Sequence, residues 1–148
     1  MSKPIDLSFE ATARVRDTCL CFHAQRAART LARRFDDALR PLGLTNGQFS
    51  LMMSLNRPAA ASMGSVAGLM AMDRTTLTAA IKPLERRGLV EIAVDPKDRR
   101  GRLMTLTPAG QVLLWAAMPV WTRLHATVED LLADGEPGRL RADLRALS

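Results

Sequence analysis

The chain has 148 residues, enough for one domain or for one domain with helical extensions. Apolar residues make up 47% and charged residues 24%, which excludes an intrinsically disordered chain. Lysine and arginine outnumber aspartate and glutamate by 21 to 15, a net charge of +6. Such an excess is typical of proteins that bind nucleic acid or an acidic membrane surface, although a solvated charged surface gives the same balance.

The two cysteines, Cys19 and Cys21, are separated by one residue. In a helix their side chains point to nearly opposite sides, so we expect reduced thiols that do not pair with each other. No cysteine and histidine spacing suited to a metal is found, and we predict no cofactor. The N-terminus lacks a signal peptide pattern, and no apolar run approaches the roughly 18 residues of a membrane span. We therefore predict a cytoplasmic protein without a membrane partner.

The first predicted element is one long helix from about Glu10 to Leu39, because this stretch contains no internal glycine or proline. Pro41 and Gly43 then end the helix. Along it, apolar residues recur at steps of three and four and form a single stripe, made up of Leu20, Ala24, Ala27, Leu31, Phe35 and Ala38.

Three shorter helices are predicted next, from Thr45 to about Asn56, from Met63 to Ala71, and from Asp73 or Arg74 to Gly88. The last of these has an apolar face formed by Leu77, Ile81 and Leu84, spaced four and then three. We expect this face to be buried and the opposite face to be free for contacts.

A β-hairpin is predicted after these helices, with strands over Leu89–Val94 and Arg102–Leu106 and a charged turn over Asp95–Gly101. In the second strand, Leu103 and Thr105 give a less regular alternation of apolar and polar residues than the first strand shows. Thr107 and Pro108 then have the residue types of a helix start, an N-cap followed by proline at the first helical position.

The C-terminal helix that begins there carries a second apolar stripe, and Pro119 is expected to kink it. A last short helix follows Gly135 and Pro137. The sequence thus predicts a mainly α fold with a small β-hairpin wing (α+β). We predict three parts: an N-terminal dimerisation helix (1–44), a winged helix-turn-helix (45–107) and C-terminal dimerisation helices (108–148). The terminal stripes need a partner, and a second copy of the chain is the simplest one, so we expect a homodimer.

The helix that starts at Asp73 is the candidate recognition helix. Its exposed side offers hydroxyl groups and long cations, which contact bases and phosphates in a DNA major groove, and its N-terminal amides favour a phosphate. An ordinary solvated helix face has the same composition, so this pattern leaves both interpretations open. The candidate DNA contacts on this helix are Arg74, Thr75, Thr76, Thr78, Lys82 and Arg86.

The predicted hairpin is strongly basic, and it follows directly after the candidate recognition helix. A projecting basic ribbon can reach a minor groove or the flanking backbone, where arginine is favoured by the negative potential. This combination favours DNA binding over a solvated loop. The candidate contacts in this wing are Lys97, Asp98, Arg99, Arg100 and Arg102.

These segments together resemble the MarR family of regulators. The segment DRTTLTAAIKPLERRGLVE (73–91) resembles the family's recognition helix, and DPKDRR (95–100) followed by LTPAG (106–110) resembles its wing and the start of its fifth helix. PLGLT (41–45) before Phe49 is similar to the join between its first two helices. The resemblance spans nearly the whole chain in the correct order.

The resemblance implies a winged-helix dimer that binds a pseudo-palindromic operator in double-stranded DNA, usually as a repressor released by a small molecule or by oxidation. It implies that Arg100 reaches the minor groove and that Asp98 holds the wing by pairing with a neighbouring arginine. Lys97 stands where the family often has arginine, which removes a planar fork of donors at that position.

Two signals for release follow from the same resemblance. Cys21, between Leu20 and Phe22, matches the reactive thiol of the family's peroxide-sensing branch, and His23 and Arg26 supply positive charge nearby. That branch uses tyrosines to stabilise the thiolate, and this chain has none. A buried, inert cysteine is the alternative interpretation.

The second signal is a small aromatic or anionic effector bound by an apolar wall with a cation beside it. The candidate residues are His23, Arg26, Met52, Met53, Trp115 and Trp121. No phosphate loop, metal cluster or nucleophile beside a histidine is apparent, so we do not expect an enzyme. A sequence-neutral architectural DNA binder of the same fold stays open as an alternative.

Overall fold

The computed structural model describes residues 7–148, and this part of the chain is mainly helical with one small antiparallel sheet. That architecture confirms the predicted fold class. The elements in order are α1 (Phe9–Thr18), α2 (Leu20–Leu39), a 3₁₀ turn (Arg40–Leu42), α3 (Asn46–Leu55), β1 (Ala61–Ser62), α4 (Met63–Met70), α5 (Arg74–Arg86), β2 (Val90–Asp95), β3 (Asp98–Leu106), α6 (Pro108–Glu129) and α7 (Pro137–Ala146).

The prediction of one continuous helix from Glu10 to Leu39 is wrong, because the helix is interrupted at Cys19. This residue has extended backbone angles (φ −70°, ψ 111°), while its N–H still donates to the carbonyl of Val15. Neither glycine nor proline marks the break. Threonine and cysteine have low helix propensity, and the Thr18–Cys19 pair is the local reason we find for the interruption. The predicted opposite orientation of the two thiols assumed a continuous helix and therefore loses its basis.

The described chain divides into two compact units, with the boundary between Arg34 and Phe35. In the first unit, residues 20–30 are all exposed, including the predicted apolar stripe positions Leu20, Ala24 and Ala27. The predicted parts 1–44, 45–107 and 108–148 stay predictions, because a dimerisation domain is defined by contacts between two chains and not by contacts within one.

The second unit contains the hydrophobic core, to which α3, α4, α5, the sheet and α6 all contribute. The predicted inward face of α5 is confirmed, since Leu77, Ile81 and Leu84 are fully buried. Thr45 and Gln48 form a capping box at the start of α3, which satisfies free amides at that helix end. The largest fully buried side chains are Leu39, Leu51, Met52, Leu77, Ile81, Leu84, Met104, Val66 and Val90.

The sheet has the order β1-β3-β2, with all neighbours antiparallel. β1 was not predicted, because a strand of two residues has no period to detect. Met104 of β3 is the fully buried residue, whereas Leu103 is only partly buried. The predicted turn over 95–101 is also too long: β3 begins at Asp98, so the basic residues after Lys97 lie on a strand.

Helix α6 begins as predicted, with Thr107 as N-cap and Pro108 in the first turn. It continues through Pro119, and the kink predicted there stays a prediction. Among residues 7–148, every helix is too short or too polar to cross a lipid bilayer.

Candidate nucleic-acid interface

The start of α5 is fixed by Asp73. Its carboxylate accepts a hydrogen bond of 2.7 Å from the backbone N–H of Thr76, which has no partner within the helix. This bond, the Thr76 hydroxyl and the N–H of Thr75 lower the pKa of Asp73 below its usual value. Asp73 is therefore ionised at neutral pH and favours the positive end of the helix dipole, so the helix begins at a defined residue.

All six predicted contacts on α5 are exposed: Thr75, Thr78, Lys82 and Arg86 lie opposite the core face, and Arg74 and Thr76 lie in the first turn of the helix. The hydroxyl of Thr78 donates to the carbonyl of Arg74 at 2.8 Å, which leaves its methyl group and its oxygen lone pairs for an outside partner. The Lys82 ammonium lies 3.8 Å from the Glu85 carboxylate, a loose exposed pair. The exposed residues are Arg74, Thr75, Thr76, Thr78, Lys82 and Arg86.

The wing is a two-stranded ribbon whose tip is shaped by two aspartates. Asp95 accepts from the backbone N–H of Lys97 at 2.9 Å, and Asp98 accepts from the backbone N–H of Arg100 at 3.0 Å. The resemblance implied that Asp98 pairs with an arginine side chain. In the part of the chain that the structure describes, Asp98 holds the wing through a backbone amide instead.

The arginines of the wing differ in what they contact. Arg102 donates to the carbonyls of Arg99 (3.2 Å) and Gly101 (3.0 Å), so it stabilises the ribbon itself. The side chains of Arg99 and Arg100 are exposed, and they have no hydrogen-bond partner among residues 7–148. Their guanidinium groups are thus available to an outside acceptor.

Contacts behind the interface hold the recognition helix and the wing together. The Thr107 hydroxyl donates to the carbonyl of Gly88 at 2.6 Å, and the Thr107 N–H donates to the carbonyl of Leu89 at 3.1 Å. A Cβ at Gly110 would overlap the Leu89 carbonyl, so only glycine permits this approach of α6. The recognition helix α5, the wing and α6 therefore contact one another at the segment between the end of α5 and the start of β2.

Two of the predicted effector residues line one open groove between α3 and α6. Its volume is about 950 Å³, and Met53 and Trp115, which is 81% exposed, lie on its wall. The polar residues of this wall were not predicted; they are Asn56, Gln111, Thr122 and Arg123. Arg123 lies about two turns after Trp115 on α6, and this helical spacing could have indicated it.

The remaining predicted effector residues lie elsewhere. Met52 is fully buried in the core and is not part of the wall of this groove. Trp121 lines a second groove of about 410 Å³ and stacks between Phe49 and His125, with ring centres 6.5 and 4.5 Å away.

His23 and Arg26 belong to the first unit, which ends at Arg34. The His23 Nδ1 lies 2.8 Å from the Cys19 carbonyl oxygen, and the Arg26 guanidinium lies 5.7 Å from the centre of the Phe22 ring. Both side chains therefore have partners within four residues, His23 at the helix break and Arg26 on α2.

Cys21, the candidate redox residue, is exposed on α2, and Cys19 is partly buried at the helix break. The side-chain amide of Gln25 donates to the Cys21 sulfur at 3.4 Å, and the backbone N–H of Phe22 donates to the Cys19 sulfur at 3.4 Å. The expectation of a buried, inert thiol thus does not fit Cys21.

Known proteins share this arrangement. The model of the MarR family matches residues 44–101. The transcriptional activatory protein BadR of Rhodopseudomonas palustris is 35% identical over 95 residues, which cover 62% of this chain and 54% of BadR. The chain thus matches about half the length of that curated relative.

Solved structures extend the similarity to most of the chain. The transcriptional regulator MosR of M. tuberculosis, in complex with DNA, is 36% identical with a TM-score of 0.79, covering 87% of this chain and 92% of MosR. BpsR of Bordetella bronchiseptica, whose DNA binding is regulated by 6-hydroxynicotinic acid, is 27% identical with a TM-score of 0.77, covering 88% and 93%. With the winged helix-turn-helix and its motifs in place, the chain belongs to the MarR family of transcriptional regulators.

Proposed function

We propose that this chain is a sequence-specific DNA-binding regulator that acts as a homodimer on a pseudo-palindromic operator. The observation that carries the proposal is the exposed hydroxyl and cation face of α5 beside a basic wing on the same compact unit. The face can enter a major groove, where each base pair has a distinct donor and acceptor pattern. Arg99 and Arg100 of the wing can enter the adjacent minor groove. The DNA complex of MosR, a relative over most of the chain, supports this assignment.

The apolar surfaces left exposed outside the winged helix support the homodimer. In α2 the stripe positions Leu20, Ala24 and Ala27 are exposed, and in α7 Leu140 and Leu144 are at least 41% exposed. Exposed apolar stripes of this length are unfavourable in water and are covered in regulators of this type by a second copy. A two-fold dimer presents two recognition helices about one DNA turn apart, which matches a palindromic site.

We further propose that the chain is a repressor and that a small aromatic acid releases it from DNA by binding in the α3–α6 groove. Trp115 and Met53 offer an apolar wall, while Arg123 offers a cation for a carboxylate. BpsR, whose DNA binding responds to a hydroxylated nicotinic acid, supports this ligand class. Arg123→Met should abolish a thermal shift produced by an aromatic acid and retain operator binding. An unchanged thermal shift would remove this groove from the proposal.

The DNA-binding proposal is tested by selecting sequences from a random duplex library with the full chain, followed by competition at fixed salt. We expect the selected duplex to bind about a thousandfold more tightly than random DNA. An architectural binder would instead show no enriched sequence and only a steep salt dependence. That result would contradict the proposal.

A second candidate for the release signal is oxidation of Cys21. The exposure of its sulfur favours it, because a sensing thiol must meet the oxidant. Peroxide treatment of the operator complex tests this candidate directly. Loss of binding by the wild type and retention by Cys21→Ser would support thiol sensing, whereas equal responses of both proteins would exclude Cys21 as the sensor.

A further inference from the structure

The corner between α2 and α3 is held by Asp36, near the end of α2. One carboxylate oxygen of Asp36 accepts from both the backbone N–H (2.7 Å) and the side-chain amide (2.8 Å) of Asn46, the first residue of α3. The N–H groups at a helix start have no partner within the helix, so Asp36 satisfies one of them from the preceding helix. These bonds fix the angle between the end of α2 and α3.

The same corner is tied to the far end of the recognition helix. Arg87, the C-cap of α5, donates from Nη1 to the carbonyl of Gly43 at 2.7 Å, across 44 residues of sequence. Gly43 has φ +68°, and a Cβ there would lie only 3.1 Å from Nη2 of Arg87. Glycine thus both forms the turn and leaves room for the guanidinium group.

We propose that Arg87 and Asp36 are positioning residues that set the direction of the recognition helix relative to the end of α2. In a two-fold dimer that direction determines the distance between the two DNA half-sites, because both recognition helices must enter grooves on the same side of the duplex. This inference rests on the proposed function. It assigns to Arg87, which no base contact requires, control over half-site spacing.

The structure also limits how large the effect is. Leu77, Ile81 and Leu84 anchor α5 in the core, so the helix stays folded without its C-terminal tether. Arg87 is exposed, and its removal leaves no buried unpaired charge. A variant at residue 87 therefore changes the freedom of the recognition helix while the fold persists.

A phosphate contact is the competing role for Arg87. A lost phosphate contact weakens binding to all duplexes alike and reduces the salt dependence of binding. A lost tether instead reduces the discrimination between correct and incorrect spacing. The ratio of the affinities for two spacings separates these two roles. A residue that only stabilises the fold would leave this ratio unchanged when it is replaced, and lysine would then have no loss to restore.

The experiment uses the full chain and the duplex it selects from a random library. Affinities are measured for that duplex and for versions with the centre shortened or lengthened by one base pair. We expect Arg87→Met to lower the preference for the selected spacing by about three- to tenfold. Arg87→Lys, which keeps a donor, should stay near the wild type. Arg40→Met is the control for loss of a cation in the same turn, since the Arg40 guanidinium donates to Asp37 and, among the described residues, not to Gly43.

Asp36→Ala provides a second test, because it releases the same corner from the other side and should lower the spacing preference in the same direction. Unchanged preference in both Arg87→Met and Asp36→Ala would overturn the inference while leaving the proposed function intact. Uniform weakening in Arg87→Met with a shallower salt dependence would make Arg87 a phosphate contact and would also overturn it. A wild-type chain that selects no sequence would overturn the proposed function together with this inference.

Discussion

Helices α5 and α2 are both amphipathic, yet α5 buries its apolar face within the described chain, whereas α2 buries only Leu39 at its end. The three apolar residues of α5 are fully buried, whereas residues 21–30 of α2 are all exposed. A winged helix-turn-helix is large enough to cover its own core, but the first half of α2 is left uncovered within the described chain. Helix α5 is therefore positioned by its own chain, whereas the exposed apolar stripes of α2 and α7 favour contact with a second chain.

The largest effect is expected from opening a cavity under α5. Ile81→Ala should lower the free energy of unfolding by about 2–5 kcal/mol, since the side chain is fully buried. Urea-induced unfolding at one protein concentration measures this change. Leu20→Ala, at a position 68% exposed, is the matched comparison and should cost far less when the chain is monomeric. Equal losses in the two variants would remove the distinction between the helices.

The exposed stripe of α7 is tested by adding a charge to it. Leu144→Asp should raise the dissociation constant of the proposed homodimer by roughly a hundredfold, because each of the two copies loses a leucine that the interface would bury. Sedimentation equilibrium measures the change. Ala142→Asp adds the same charge on the other side of the helix and should leave the dimer nearly intact. A dimer insensitive to residue 144 would place the interface elsewhere.

The wing is tested at Arg100, one of the two arginines whose side chains do not hold the ribbon together. Arg100→Ala should weaken binding to the selected operator by about tenfold, and circular dichroism should show an unchanged fold. Arg100→Lys keeps the charge without the planar fork and should recover part of the loss. Fluorescence anisotropy at fixed salt gives both affinities. Wild-type affinity in Arg100→Ala would exclude the wing from the DNA interface.

The smallest effect concerns the charge of Asp36. The hydrogen bonds from the Asn46 backbone and side chain lower the pKa of this carboxyl. Its stabilising effect is therefore present above the ordinary aspartate pKa of about 3.9 and is lost as pH falls through the lower folded value. Asp36→Asn should cost about 1 kcal/mol at pH 7 and progressively less below about pH 4. A cost that stays constant with pH would show that the charge is not involved.

Periodicity in the sequence predicted the parts of the fold whose burial is decided within one element. Leu77, Ile81 and Leu84 were assigned to the core from their spacing alone, and Thr107 was assigned as a helix N-cap from its type and the following proline. Residues that act locally in this way leave a readable pattern.

Features that depend on partners distant in sequence could not be predicted. β1 exists only because Ala61 pairs with Met104, and the bond from Arg87 to Gly43 joins residues with no shared period. The helix break at Cys19 is a local feature, but it could not be predicted either, because neither glycine nor proline marks it. The wing was recognised from its charge, but its strand begins earlier than expected because Asp95 and Asp98 turn the chain within two residues.

The central claim is that two copies of the winged helix read one DNA site together. Binding of the full chain is measured to the selected duplex and to a duplex of equal length with one half-site scrambled, with the mass of each complex determined by sedimentation. We predict two chains on the intact duplex and at least about a hundredfold weaker binding to the half-scrambled one. One chain per duplex, with equal affinity for both DNAs, would contradict the account.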